Sequence, residues 1–259
     1  MLTKRLIACF DIINDRVTKN VKFQGEPVDI AAADTLAATM YASQIDELML
    51  CDINAGNEKR GINLNIIKKV AAHVFIPFGV GGGISGISSM FDALKSGAEK
   101  ISLDSLAVRN PEIISEGAKA FGAQCIVLHI RAKKNDLMPS GYEVYTDGAK
   151  TPTNLDVITW AIKGESLGAG EICVTSIDRE GTFQGYDICL MKKIESAVRT
   201  PLIACGGAGK PEHLLELFTK TQVQAAIISS MLYSPLLKEN YTVKSLKQFL
   251  SENGVPMRL

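Results

Sequence analysis

The sequence has no excess of charge: its 259 residues carry 28 Lys+Arg against 28 Asp+Glu. A balanced chain offers no broad basic surface for nucleic acid or an anionic membrane, so an anionic ligand needs a dedicated site. None of the six cysteines, Cys9, Cys51, Cys125, Cys173, Cys189 and Cys205, falls in a C-x-x-C pair. Five lie in apolar, strand-like runs, which reads as small buried side chains in a reducing cytoplasm rather than as disulfides or a metal site. Leu6–Phe10 is the only apolar run before Asp11, too short for a signal peptide. The one long uncharged stretch, Val74–Phe91, contains Pro77 and five glycines and cannot be a membrane span. G-x-S-x-G, H-E-x-x-H and Walker A sequences are missing, which removes serine hydrolases, zincins and P-loop enzymes. His73, His129 and His213 are not spaced as metal ligands, and neither a metal nor a cofactor is expected.

What is present is alternation. Short apolar runs begin near Arg5, Glu47, Pro77, Lys100, Gln124, Glu171, Pro201 and Gln224. Between them lie patterns of helical period near 28–43, 62–73, 86–96, 111–121, 154–167, 187–198 and 210–220, with a last one at 243–252. Eight strand–helix units in this length predict an α/β fold, a (β/α)8 barrel, as one domain over 1–259. A doubly wound open sheet is the alternative. The segment Lys133–Asn154, with Pro139, Gly141, Gly148 and Pro152, reads as a loop excursion. An internal repeat favours the barrel: Glu47-Leu-Met-Leu-Cys-Asp-Ile resembles Glu171-Ile-Cys-Val-Thr-Ser-Ile, and Pro77-Phe-Gly-Val-Gly-Gly-Gly resembles Pro201-Leu-Ile-Ala-Cys-Gly-Gly, each pair offset by 124 residues. Two half-barrels follow, with the functional face at the C-terminal strand ends.

Candidate chemistry clusters at those ends. The Gly-rich turns containing Gly82 and Gly83, and Gly206 and Gly207, each follow a strand and precede a helix, a pattern that lets backbone N–H groups approach a phosphate. Asp104 and Ser105 end the fourth strand of the first half, and Ser229 and Ser230 that of the second. Two such sites imply a ligand with a phosphate at each end; the plain alternative is that the glycines only make tight turns. Asp11, Asp52 and Asp178 stand at or just after strand ends, where a partly desolvated carboxylate can act as acid or base. Asp11 could instead pair with Lys19 or Arg16. The symmetry partner of Asp11 is Arg131, and His129 shares its side of the strand. At the opposite rim Arg5, Glu47, Lys100 and Glu171 each start a strand, forming either a salt-bridge plug or a gate.

Taken together, Arg5-Leu-Ile-Ala-Cys-Phe-Asp11, Pro77-Phe-Gly-Val-Gly-Gly-Gly-Ile84, Thr175-Ser-Ile-Asp-Arg-Glu-Gly-Thr182 and Ala204-Cys-Gly-Gly-Ala-Gly-Lys210 make the chain resemble, over essentially its whole length, the cyclase subunit of imidazole glycerol phosphate synthase. The resemblance implies a glutaminase partner docked on the N-terminal face, an ammonia channel along the barrel entered through Arg5, Glu47, Lys100 and Glu171, and a bis-phosphorylated substrate at the C-terminal face. It implies Asp11 as one of two acid–base aspartates, Lys19 as the lysine of the first loop, and a phosphate site at Gly181, Gly206, Gly207, Ser229 and Ser230. The sequence departs from the family at positions 104, 105, 131 and 205, the last being Cys205 in place of a serine. Arg131 replaces the second aspartate and cannot exchange protons as a carboxyl group does. Asp104-Ser105 replaces Asn-Thr, putting like charge beside a phosphate. Divergent members of the family are associated with surface glycans, supplying ammonia to turn an acetamido sugar into an acetamidino one. The departures point to that use as the expected function; the authentic cyclase of histidine biosynthesis is the alternative, followed by a non-catalytic ammonia conduit and a sugar-phosphate isomerase.

Overall fold

The computed structural model describes residues 2–21, 24–56, 58, 60–234 and 241–259. Its strands are β1 (Arg5–Ile13), β2 (Arg16–Val21), β3 (Gln24–Ala32), β4 (Glu47–Asp52), β5 (Phe78–Gly81), β6 (Lys100–Leu103), β7 (Ile126–Lys134), β8 (Tyr142–Thr146), β9 (Thr151–Asp156), β10 (Glu171–Ser176), β11 (Leu202–Cys205) and β12 (Ala225–Ile227). Eight of them pair in parallel as β1-β4-β5-β6-β7-β10-β11-β12, and β12 returns to β1, so the sheet closes into a (β/α)8 barrel. The strand starts lie within two residues of those read from the sequence. Where glycine and proline punctuate the chain, the period changes from 2 to 3.6 and the boundary is legible.

The strand period of 2 sorts the side chains into two cores. One row, including Leu6, Ala8 and Phe10 on β1 and Leu48 and Leu50 on β4, packs outward against Leu36, Ile66, Met90, Ile114, Trp160 and Leu214 of the surrounding helices. The other row fills the barrel: Ile7, Met49, Val127, Cys173, Ile203, Ala225 and Ile227, with Cys9, Cys51 and Cys205 above them. Gly79 belongs to this interior, where a Cβ would approach the Met49 sulfur to 2.9 Å. The cysteines therefore divide. Cys173 is fully buried, Cys9, Cys51 and Cys205 border the cavity at the barrel mouth, and Cys189 is exposed, against the expectation of uniform burial.

Two segments differ from the sequence reading. Residues 28–32, expected to be helical, belong to β3, which pairs antiparallel with β2 and extends β1 as a hairpin; the helix is Ala33–Ala42. Local alanine content favours a helix there, but pairing with β2 satisfies the backbone instead. The excursion after β7 contains β8 and β9, antiparallel additions to a β7 that runs on to Lys134. β1 likewise continues past Asp11 to Ile13. Short helices at Ser105–Arg109 and Ser229–Tyr233 follow β6 and β12. No described helix is long and apolar enough to cross a membrane.

The last helix, Val243–Glu252, is tied to the barrel floor. Lys247 Nζ donates to Asp46 Oδ1 at 2.6 Å and to Gln44 O at 2.7 Å, while Asp46 Oδ2 accepts from the backbone N–H of Leu6. Lys247 and Asp46 are both buried. Removing one partner strands the other charge, so Lys247→Ala is expected to lower unfolding stability by about 3–5 kcal/mol. Chemical denaturation checks this; an unchanged midpoint would contradict it.

Candidate active site at the barrel mouth

Strand alternation carries Arg5, Glu47, Lys100 and Glu171 into the lumen at its N-terminal end. Arg5 Nη1 donates to Glu47 Oε2 at 2.5 Å and its Nη2 donates to Glu171; Lys100 Nζ donates to Glu47 Oε1 at 2.7 Å and Glu171 Oε2 at 2.6 Å. Cations and anions alternate around a closed ring. Burial opposes the Arg5 charge, but Glu47 and Glu171 outweigh it and hold the guanidinium pKa above its usual value. Glu47, 1% exposed, is pushed upward by burial that Lys100 and Arg5 only partly offset.

The other end opens into a cavity of about 730 Å³, counted to its solvent-open mouth. Asp11, Lys19, Arg131, Glu180, His129 and Thr175 give it polar groups, and Gly181, Gly206, Gly207, Ser229 and Ser230 form one side. Lys19 arrives on β2 from the hairpin and is almost fully buried, its Nζ 3.7 Å from Asp11 Oδ2 and 3.5 Å from Glu180 Oε1. Burial alone would lower its pKa; Asp11 and Glu180 reverse that and keep the ammonium charged. Arg16, the other cation considered for Asp11, pairs instead with Asp29.

Arg131 enters from β7, and its Nε donates to Asp104 Oδ2 at 2.6 Å. Burial would weaken the guanidinium charge, but the Asp104 carboxylate, then Cys51 and Asp11, raise its pKa instead. Two of the positions that the resemblance marks as departures, 104 and 131, thus form one ion pair.

The two glycine turns are unequal. Gly82, Gly83, Asp104 and Ser105 do not line the cavity, whereas the residues of the second turn do. In both turns the glycines allow close backbone approach: a Cβ on Gly82 would meet Asp52 O at 2.1 Å, and one on Gly207 would meet Gly185 O at 2.2 Å. Both are at positive φ. Ser105 Oγ accepts from the Asp147 N–H, and Ser229 Oγ exchanges hydrogen bonds with the Cys9 backbone N–H and C=O, each at 2.7 Å. Two other candidates stand apart. Asp52 is buried against Arg60, with contacts of 2.5 and 2.9 Å, in a separate depression shared with Asp15 and Asn63. Asp178 accepts from the Lys134 N–H at 2.8 Å.

Sequence reasoning did not single out Glu180, Thr175 or a site role for His129. The alternation of His129 with Arg131 was the available signal. His129 Nε2 lies 2.8 Å from Thr175 Oγ1, and burial, reinforced by the Arg131 charge, brings its pKa down to about 4. A histidine that titrates at its ordinary value of 6.5 when unfolded, and about 4 when folded, takes up a proton on unfolding between those values. Stability therefore falls as pH drops from 6.5 toward 4, at up to about 1.4 kcal/mol per pH unit from this group. His129→Gln is expected to flatten that part of the curve by up to one proton, read from denaturation midpoints against pH; an unchanged slope would contradict the assignment.

Residues 5–238 match the family model described as histidine biosynthesis protein. Over its whole length the chain is 45% identical to imidazole glycerol phosphate synthase subunit HisF of Syntrophobacter fumaroxidans, covering 99% of that protein. It is 44% identical to the HisF subunit of Desulfosudis oleivorans and 45% to that of Oleidesulfovibrio alaskensis, again covering 99% of each. At this identity and coverage, the chain belongs to the histidine biosynthesis protein family and stands within it among the HisF subunits of the enzyme imidazole glycerol phosphate synthase.

Proposed function

We propose that the chain is the cyclase subunit of imidazole glycerol phosphate synthase in histidine biosynthesis. It takes ammonia from a HisH-like glutaminase and adds it to the bis-phosphorylated ribulosyl aminoimidazole carboxamide precursor. The observation that carries this reading is the polarity of the barrel interior: a charged ring at one end, small and apolar side chains between, and an Asp11 cavity at the other. An interior of Ile7, Met49 and Val127 suits neutral ammonia, since ammonium would lose its hydration without a partner. Ammonia enters when one ion pair of the ring opens. The partner docks on the strand-start face, where Phe75, 77% exposed before β5, and Leu2, 90% exposed before β1, offer apolar surface. The free cysteines fit a reducing cytoplasm.

At the mouth Asp11 serves as a base toward the incoming nitrogen, and Lys19 positions anionic oxygen on the substrate. One phosphate sits on Gly181, Gly206, Gly207, Ser229 and Ser230. The second phosphate goes toward Gly82, Gly83 and Ser105, a side made less favourable by the Asp104 carboxylate; like charges at 4 Å repel by about 1–4 kcal/mol between water and surface dielectrics. Asp178, bonded to the Lys134 N–H, and Asp52, bonded to Arg60, hold the loops that frame the mouth. The ion pair of Asp104 with Arg131 favours a second reading, an acceptor with fewer phosphates such as the acetamido sugar of a surface glycan.

Turnover of the histidine-pathway precursor with ammonium salts decides between the two. The cyclase reading expects robust turnover that falls by about 10²–10⁴ in Asp11→Asn; no turnover would contradict it. Reversing charge in the ring, Lys100→Glu, is expected to abolish glutamine-dependent turnover with the glutaminase present and to spare ammonium-dependent turnover, because free ammonia also reaches the open mouth. Equal loss of both would contradict the entrance role.

A further inference from the structure

With a guanidinium at 131, β7 gives Asp11 no carboxyl partner, yet a second carboxyl group reaches the same cavity from the turn after β10. Glu180 lies in the turn after β10, where the N–H groups of Arg179 and Glu180 both bond to Ser176 O, at 3.2 and 3.0 Å, and Gly181 follows at φ +68°. The Glu180 side chain is 14% exposed and lines the cavity beside Asp11. Its Oε1 is 3.5 Å from Lys19 Nζ, and Asp11 Oδ2 is 3.7 Å from the same nitrogen. Gly206 leaves room for it: a Cβ there would stand 3.4 Å from Glu180 Oε2 and 2.9 Å from Ser176 O. Asp11 on β1 and Glu180 in the turn after β10 therefore face one cavity, bridged by one ammonium. Among the described residues, Asp104 is committed to Arg131, Asp178 to a backbone N–H and Asp52 to Arg60.

We propose that Glu180 is the second proton-exchanging carboxyl group of this site, paired with Asp11 across Lys19. The inference deepens the cyclase reading and rests on it. Ammonia attacking the keto carbon of the ribulosyl precursor forms a C–N bond, and two protons must then pass from nitrogen to the carbonyl oxygen, which leaves as water. In the first transfer one carboxylate accepts from nitrogen and the other carboxylic acid donates to oxygen, exchanging their protonation states. The second transfer runs with the roles reversed and restores them. Lys19 cannot stand in for either group, because its two carboxylate neighbours hold it charged; Arg131 is excluded for the same reason.

The competing role for Glu180 is purely positional, keeping Lys19 over the mouth. The pH dependence of kcat and KM for ammonium-dependent turnover of the precursor separates the two. Glu180→Gln is expected to lower kcat by about 100-fold or more, with KM little changed, and to remove one limb of the kcat profile. Glu180→Asp, which keeps the carboxyl group, should retain both limbs with a loss of kcat under about 10-fold. A Glu180→Gln variant that keeps kcat and both limbs, or that only raises KM, overturns the proposal, as does an equal loss of kcat in both variants. Absence of turnover in the unmodified protein is a different failure: it overturns the cyclase reading, and the inference with it.

Discussion

Everything in this molecule depends on the two-residue period of eight parallel strands that close on themselves. On β1 the period sends Leu6, Ala8 and Phe10 into the helical shell and leaves Arg5, Ile7, Cys9 and Asp11 in a file along the interior. A one-residue slip of register would turn Asp11 outward and place an apolar side chain at the mouth. The outer core therefore does more than stabilise the barrel. By fixing register, it decides which chemistry the lumen presents at each end.

The two ends use charge differently. At the strand starts, two cations and two anions neutralise one another in a closed ring with little access to water. At the mouth, carboxylates and cations are spaced more widely: Lys19 is more than 3 Å from each of its two acids, while Arg131 is held tightly by Asp104. Loose pairs in a cavity open to solvent can exchange partners with a bound substrate, and tight ones cannot without a large electrostatic cost. Asp104 and Arg131 therefore make one local ion pair, in a site whose other side is formed by a glycine turn and two serines.

The barrel was legible because its signals are local. Strand starts at Arg5, Glu47, Lys100 and Glu171, and the repeat of Pro77-Phe-Gly-Val-Gly-Gly-Gly as Pro201-Leu-Ile-Ala-Cys-Gly-Gly, can be read without knowing what touches what. Residues 28–32 were misread because their local preference is overridden by pairing with β2, a tertiary effect. β8 and β9 were hidden by the glycines and prolines that mark the turns of the excursion. Within the site, Asp11, Lys19 and the second glycine turn were visible as motifs. Glu180 stands within the segment Thr175–Thr182, but its role is not legible there, since that comes from a lysine 161 residues away. The bond between Arg131 and Asp104 was likewise out of reach: each substitution could be noticed singly, but only the fold places β6 and β7 side by side.

In the proposed function, nitrogen passes from the ring at the strand starts to the Asp11 cavity without mixing with solvent. Isotope dilution checks this: the complex with its glutaminase turns over glutamine labelled with 15N in the amide, with unlabelled ammonium in excess over the ammonia released but well below the concentration that by itself supports turnover at the mouth. Passage through the barrel gives product carrying 15N at close to the enrichment of the glutamine. Product whose label has fallen to the composition of the surrounding ammonium would contradict it.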